Sequence, residues 1–270
     1  MKKFIALSAL LFGAVCGFAS PTVVFDNIPS TLPGNVASLG YQATQTDELG
    51  DQITLAGTDR LAHSATFTMS SWARKAQWPS VGDITGFDHD VTLNFYGATS
   101  GYTPGPLLGS ITQTFHMLYR PEGINPDGSG PWDDGMGHQY NGLAFNITFD
   151  LSSMNLVLPN TFVYGLAYSS GNYGTNPQGP GPWESLNFGL EGTTVAVGTD
   201  VDSDDLFWDT ATAGWYTDGG AAGVGVFRKD TNWSGYAPMS RFSVTSAVPE
   251  PGTWAALGLG GLALIRRRRK

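Results

Sequence analysis

In the segment GLAFNITFDL, Leu143, Phe145, Ile147, Phe149 and Leu151 alternate with Ala144, Asn146, Thr148 and Asp150. A period of two puts the first set on one face of a strand and the second on the other. DVTLNFYG repeats the pattern with Val91, Leu93 and Phe95, and SATFTMSSW does so with Ala65, Phe67 and Met69. Strands are also predicted in TVVFDN, QITLAG, GSITQTFHM, TFVYGLAYS, SLNFGLEG, VGVFRK and MSRFSVT. TFVYGLAYS is apolar at nearly every position, which predicts a central strand covered on both faces. No stretch carries a helical stripe. Turn-forming runs such as TPGP, NPDGSGPWDDGMG and GTNPQGPGPW separate the strands. Many short strands between turns predict an all-β protein, a single antiparallel β-sandwich of jelly-roll type. The longest Gly/Pro loops exceed hairpin length and are candidate binding surfaces.

The two ends break this pattern. MKKFIALSALLFGAVCGFAS has two lysines, an apolar run and then small residues, the layout of a secretory signal peptide. Cleavage by signal peptidase is expected after Ala19, giving a signal over 1–19. At the other end, VPEPGTWAALGLGGLALIRRRRK joins a Pro-Glu-Pro to an apolar run, Gly252 to Ile265, and five basic residues. As a helix that run spans about 21 Å, short against a hydrocarbon core of about 30 Å. It is expected to anchor the chain only transiently, with its basic end held in the cytoplasm and Pro249-Glu250-Pro251 near the outer face. The exported domain then runs over 20–247 and the tail over 248–270.

Charge sharpens this division. The chain carries a net −9, but seven of its fourteen Lys and Arg residues, and only one of its twenty-three acids, lie in the two end segments. The exported domain therefore holds seven basic against twenty-two acidic residues, a net of −15. Repulsion from phosphate argues against nucleic acid as a partner. The single cysteine, Cys16, lies in the signal segment, so the domain has neither disulfide nor thiol nucleophile and must be held by its core.

Candidate chemistry is sparse. In GTDVDSDDLFWD, the carboxylates of Asp200, Asp202, Asp204 and Asp205 are a candidate Ca²⁺ site, because alternate loop carboxylates can converge on a cation that takes six to eight oxygens. It is not an EF-hand, since Asp205 stands at the turn glycine and Ala211 at the closing glutamate. A solvated acidic turn is the alternative. The four histidines form no HExxH, and no GxSxG elbow occurs. His89, between Asp88 and Asp90, is expected to point with Val91 and Leu93 towards the core. Trp132 with Asp133, and Trp183 with Glu184, sit in Gly/Pro-rich loops, where an indole can stack on a sugar ring while carboxylates bond its hydroxyls. The alternative is that these tryptophans cap the ends of the core.

The tail, Val248, Pro249, Glu250 and Pro251 followed by the apolar run and Arg266 to Lys270, resembles a PEP-CTERM sorting signal. The resemblance implies a Gram-negative source, recognition by an exosortase-type protease, and removal of the tail near Pro-Glu-Pro. It further implies delivery to the cell surface or an exopolysaccharide matrix. The middle resembles an uncharacterised domain of secreted bacterial proteins. The stretches that carry this are FDNIPSTLPGNVASLGYQATQTDELGDQI, LNFYG with PGPLLGSITQTF, and GTDVDSDDLFWDTATAGWYTDGGAAGVGVFRKDTNW. That resemblance implies one exported domain and supplies no catalytic residue. The expectation is thus a non-catalytic surface or matrix module that binds extracellular polysaccharide. A secreted glycan hydrolase on the same scaffold and a purely structural coat protein are the alternatives.

Overall fold

The computed structural model describes residues 20–98, 100–211 and 225–246. The signal segment and the C-terminal tail, with their expected helices and the Val248–Pro251 motif, lie outside the described residues. Along the chain the strands are β1 (Thr22–Asp26), β2 (Ser38–Gly40), β3 (Thr46–Thr54), β4 (Leu61–Ser71), β5 (Gly86–Gly97), β6 (Leu107–Leu118), β7 (Trp132–Asp133) and β8 (Gln139–Tyr140). They continue as β9 (Leu143–Asp150), β10 (Thr161–Ala167), β11 (Leu186–Gly189), β12 (Thr199–Asp200), β13 (Leu206–Thr210), β14 (Arg228–Asp230) and β15 (Ser240–Thr245). One α-helical turn, α1 (Tyr41–Thr44), interrupts them. All strand pairs are antiparallel, and they gather into two large sheets and the small β7–β8 hairpin.

In the first sheet, β4 takes β9 along one edge and β15 followed by β11 along the other, and β1 and β2 lie beyond these. In the second, the order is β6-β5-β10-β3, extended past β3 by β12 and by β13 with β14. The apolar positions that alternate along each strand face each other across one core. Phe67 of β4 sets its ring 5.6 Å from Tyr164 of β10, and Phe242 of β15 meets Phe162 of β10 at 5.5 Å and Phe95 of β5 at 6.3 Å. Phe149, Phe188 and Phe242 all meet Phe67 edge-on within 6 Å. Such edge-to-face packing suits the ring quadrupoles and adds to the area that the rings remove from water. The two sheets thus form a face-to-face sandwich.

TFVYGLAYS lies centrally as β10, between β3 and β5. Its Val163 is covered on the outer face by a small apolar cluster with Phe207, Phe227 and Tyr96. Two segments depart from the expected pattern. The sequence predicts a strand only from Gln52, whereas β3 begins at Thr46 and includes Asp47, Glu48 and Asp51. Part of the acidic GTDVDSDDLFWD run is strand rather than loop, because Leu206, Phe207 and Trp208 of β13 are all buried.

Candidate functional site

The pleat that sends Phe87, Val91, Leu93 and Phe95 of β5 into the core turns Asp88, Asp90, Thr92 and Asn94 outwards. On β6, Thr112 and Thr114 share that outer face, bonded to their cross-strand neighbours: Thr92 to Thr112 at 2.8 Å, and Thr114 to Asp90 at 2.5 Å. The outer face of the second sheet is therefore polar where the small apolar cluster does not cover it. The loop after β10 rises beside it as a wall. That loop is held by Gly174 N donating to Asp47 at 2.7 Å, Asn172 N to Gln42 at 3.0 Å and Asn176 N to Ser169 at 2.9 Å. Floor and wall enclose a groove of about 700 Å³, and Trp183 lines it.

One end of the groove holds three carboxyls. Glu48 of β3 pairs directly with Asp209 of β13, and the register then skips from Glu48 to Thr46, leaving Asp47 as the extra residue of a bulge. A bulge re-aims its side chain, and here Asp47 lines the groove with Glu48 and Asp209. Glu48 lies across β10 above Gly165, where a Cβ would overlap its carboxyl. It accepts hydrogen bonds there from Asn94 Nδ2 at 2.9 Å and from the Tyr96 hydroxyl at 3.1 Å. Burial pushes the Glu48 carboxyl up to about 7 despite those two donors, and the charge of Asp209 adds to the rise. Burial and the charge of Asp47 push Asp209 up to about 6. Asp209 Oδ1 is buried without a hydrogen-bond partner among the described residues.

At the groove's other end His89 is only 7% exposed, on the core face as the alternation predicts. It stacks parallel to Trp183 at 6.0 Å, burial lowers its affinity for a proton, and its Nε2 is unpartnered among the described residues.

The residues expected to bind sugar separate. Trp183 reaches the groove, half-buried, with its Nε1 donating to Gly179 O at 2.7 Å. Glu184 turns back to accept from Gly181 N at 3.1 Å, closing the wall loop. Trp132 is buried in the β7–β8 hairpin, bonded to Gly142 O at 2.7 Å and packed on Tyr140, and it does not line the groove. The exposed Asp133 accepts from Gly135 N at 2.7 Å.

In the acidic run, Asp202 and Asp205 share the ammonium of Lys229 at 2.7 and 2.8 Å, while Asp200 Oδ1 accepts from Asp202 N. Among the described residues no group of three or more His, Cys, Asp or Glu is arranged to hold a metal ion. Sequence reasoning missed the Glu48–Asp209 pair, although the alternation of Glu48, Gly50 and Gln52 with Leu49 and Ile53 was there to find it.

Comparison with known proteins bears on the tail. Residues 247–270 match the PEP-CTERM protein-sorting motif. The tail is an exosortase sorting signal. It marks the protein for export, for a membrane-anchored intermediate processed by an exosortase, and for delivery to the surface. The PEP-CTERM match covers the tail alone and leaves the β-sandwich unassigned. No curated protein and no solved structure matches the chain.

Proposed function

We propose that this is a non-catalytic surface or matrix protein of a Gram-negative bacterium, whose exported domain binds extracellular polysaccharide in the groove of the second sheet. The observation that carries this reading is the groove itself: open, about 700 Å³, floored by hydroxyls, amides and carboxyls on rigid strands, with an indole in its wall. Sugar rings need such paired donors and acceptors beside a flat apolar face. Strands that alternate between the sheets, in the orders β1-β15-β4-β9 and β3-β10-β5-β6, support a jelly-roll scaffold of the kind that secreted lectin-like domains use. The same reading places the domain with the secreted bacterial β domains that its sequence resembles.

A panel of polysaccharides tests this by thermal shift, since a ligand that binds only the folded state raises the melting temperature. At least one glycan is expected to raise it, and Trp183→Ala to abolish the rise. Trp132→Ala is expected to lower the melting temperature while keeping the rise. A flat panel would leave the coat-protein reading. The raised carboxyls of Glu48 and Asp209 favour a second reading, hydrolysis, in which one is the proton donor and the other its partner. Reducing ends released by the protein and lost in Glu48→Gln would select it.

A further inference from the structure

We propose that β6 pairs with the β6 of a second copy of this chain, joining two second sheets into one and setting two grooves side by side on one face. β6 ends its sheet: it pairs with β5 and, among the described residues, with no other strand. A strand edge leaves a row of backbone N–H and C=O groups open to another chain, and proteins blunt such edges with charge, proline, bulges or shortness. The other edges here are blunted. β1 and β9 end on Asp26 and Asp150, and β2, β12 and β14 have three residues or fewer. β6 has twelve residues and no Asp, Glu, Lys, Arg or Pro. Its one bulge, at Leu108, lies near its start, and Gly109 to Leu118 pair with β5 without a break. That leaves a regular edge of about 34 Å.

The order of side chains along this edge suits a second copy. A two-fold axis at Gln113 lays the strand against itself, antiparallel, so that each contact occurs twice. Thr112 then faces the second copy's Thr114 on the outer side, and Ile111 faces its Phe115 on the core side. Hydroxyl against hydroxyl and β-branched against aromatic are favourable cross-strand pairs. Charge favours this edge too. The exported domain carries a net of −15, so two copies repel wherever their acids meet, and β6 brings none to the contact. The outward acids nearest to it, Asp88 and Asp90, stand one strand back, bonded to His116 at 2.9 Å and to Thr114 at 2.5 Å. Gln113 is braced in advance, donating to Asp150 O at 2.6 Å and accepting from Asp150 N at 3.2 Å. An axis normal to the sheet keeps both outer faces on one side. Thr112 and Thr114 line the groove, so the second copy's β6 continues its floor. One polysaccharide can then enter both grooves, a gain in avidity that rests on the glycan reading above.

Sedimentation of the full chain tests the pairing. A dimer is expected, its share growing with concentration and with salt, which screens the two acidic domains from each other. Thr112→Lys with Thr114→Lys sets like charges directly opposite at two places across the axis, and Thr112→Glu with Thr114→Glu does the same. Each double variant is expected to dimerise at least about tenfold more weakly. Their mixture is expected to regain the dimer, because opposite charges then face each other. Both positions are exposed, and circular dichroism checks that each variant folds. If one misfolds, the other carries the test. A wild-type chain that stays monomeric in high salt overturns the proposal. So does self-association that neither variant weakens, since the contact then lies away from β6, and so does a mixture no better than its components. Sedimentation needs no glycan, so the dimer and the glycan reading fail separately.

Discussion

Glu48 shows how a residue acquires a property that its neighbours in sequence do not announce. In TQTDELGDQI it looks like one acid of a polar turn. Folding lays it over Gly165, between Asp209 on one side and Asn94 and Tyr96 on the other, with Asp47 beside it. Its carboxyl rises from 4.5 to about 7. A carboxyl raised in the folded state binds a proton there that the unfolded chain has already released, so its contribution to stability is present at low pH and lost as pH climbs from about 4.5 to about 7. Melting curves across that range are expected to show wild type losing several degrees relative to Glu48→Gln, with the difference level above it. A difference that does not vary with pH would mean Glu48 is ionised throughout. Asp51 is a second such case, fully buried opposite Tyr164 with Oδ2 unpartnered, its carboxyl pushed well up by burial. Asp51 alternates with Gly50 and Gln52 and shares a face with Leu49 and Ile53, but the predicted strand starts one residue after it, at Gln52. The outcome was legible only to a reader willing to let the period override the residue type.

At the scale of elements, long alternating runs were legible because each exposes its own period. β9 falls within its predicted segment, and the segments predicted for β4 and β5 cover those strands except for their first residues, from Leu61 and from Gly86. β13 was not legible, because its three apolar residues are too few to show a period and sit among aspartates. Leu206 and Trp208 face the main core, while Phe207 on the other face is covered by Phe227, some twenty residues further on. The pairing of β14 with β13 brings Lys229 to Asp202 and Asp205 just before β13. A cation is thus built into the acidic run. Wild type is expected to melt at one temperature with Ca²⁺ or with chelator. Lys229→Met is expected to lose about 1–2 kcal/mol of stability, as a charged hydrogen-bonded group near the surface does. Part of that loss should return on adding Ca²⁺, which thermal shift reads directly. A wild-type melting temperature that falls in chelator would contradict this assignment of the cation.

Across the whole molecule, the sandwich and its sorting signal are separate in sequence. The last strand, β15, ends at Thr245, and the matched motif begins at residue 247. β15 is paired on both sides, to β1 and to β4, and contributes Phe242 to the core. Truncation after Ser246 is therefore expected to leave the melting temperature unchanged. Truncation after Arg241 removes Phe242 and Val244 with four of the six residues of a central strand and is expected to unfold the domain. Circular dichroism melts of the two truncated chains decide it. The destination of the molecule was legible from its composition at the ends. The groove was not, since it depends on five strands and a loop drawn from residues 47 to 209.

The pairing of Thr22 with Val244 has a consequence for biogenesis. It puts the start of the first strand and the finish of the last within one hydrogen-bonded step, so both ends of the folded domain emerge at the same pole. A chain held at both ends can complete this fold without dragging either tether across the globule.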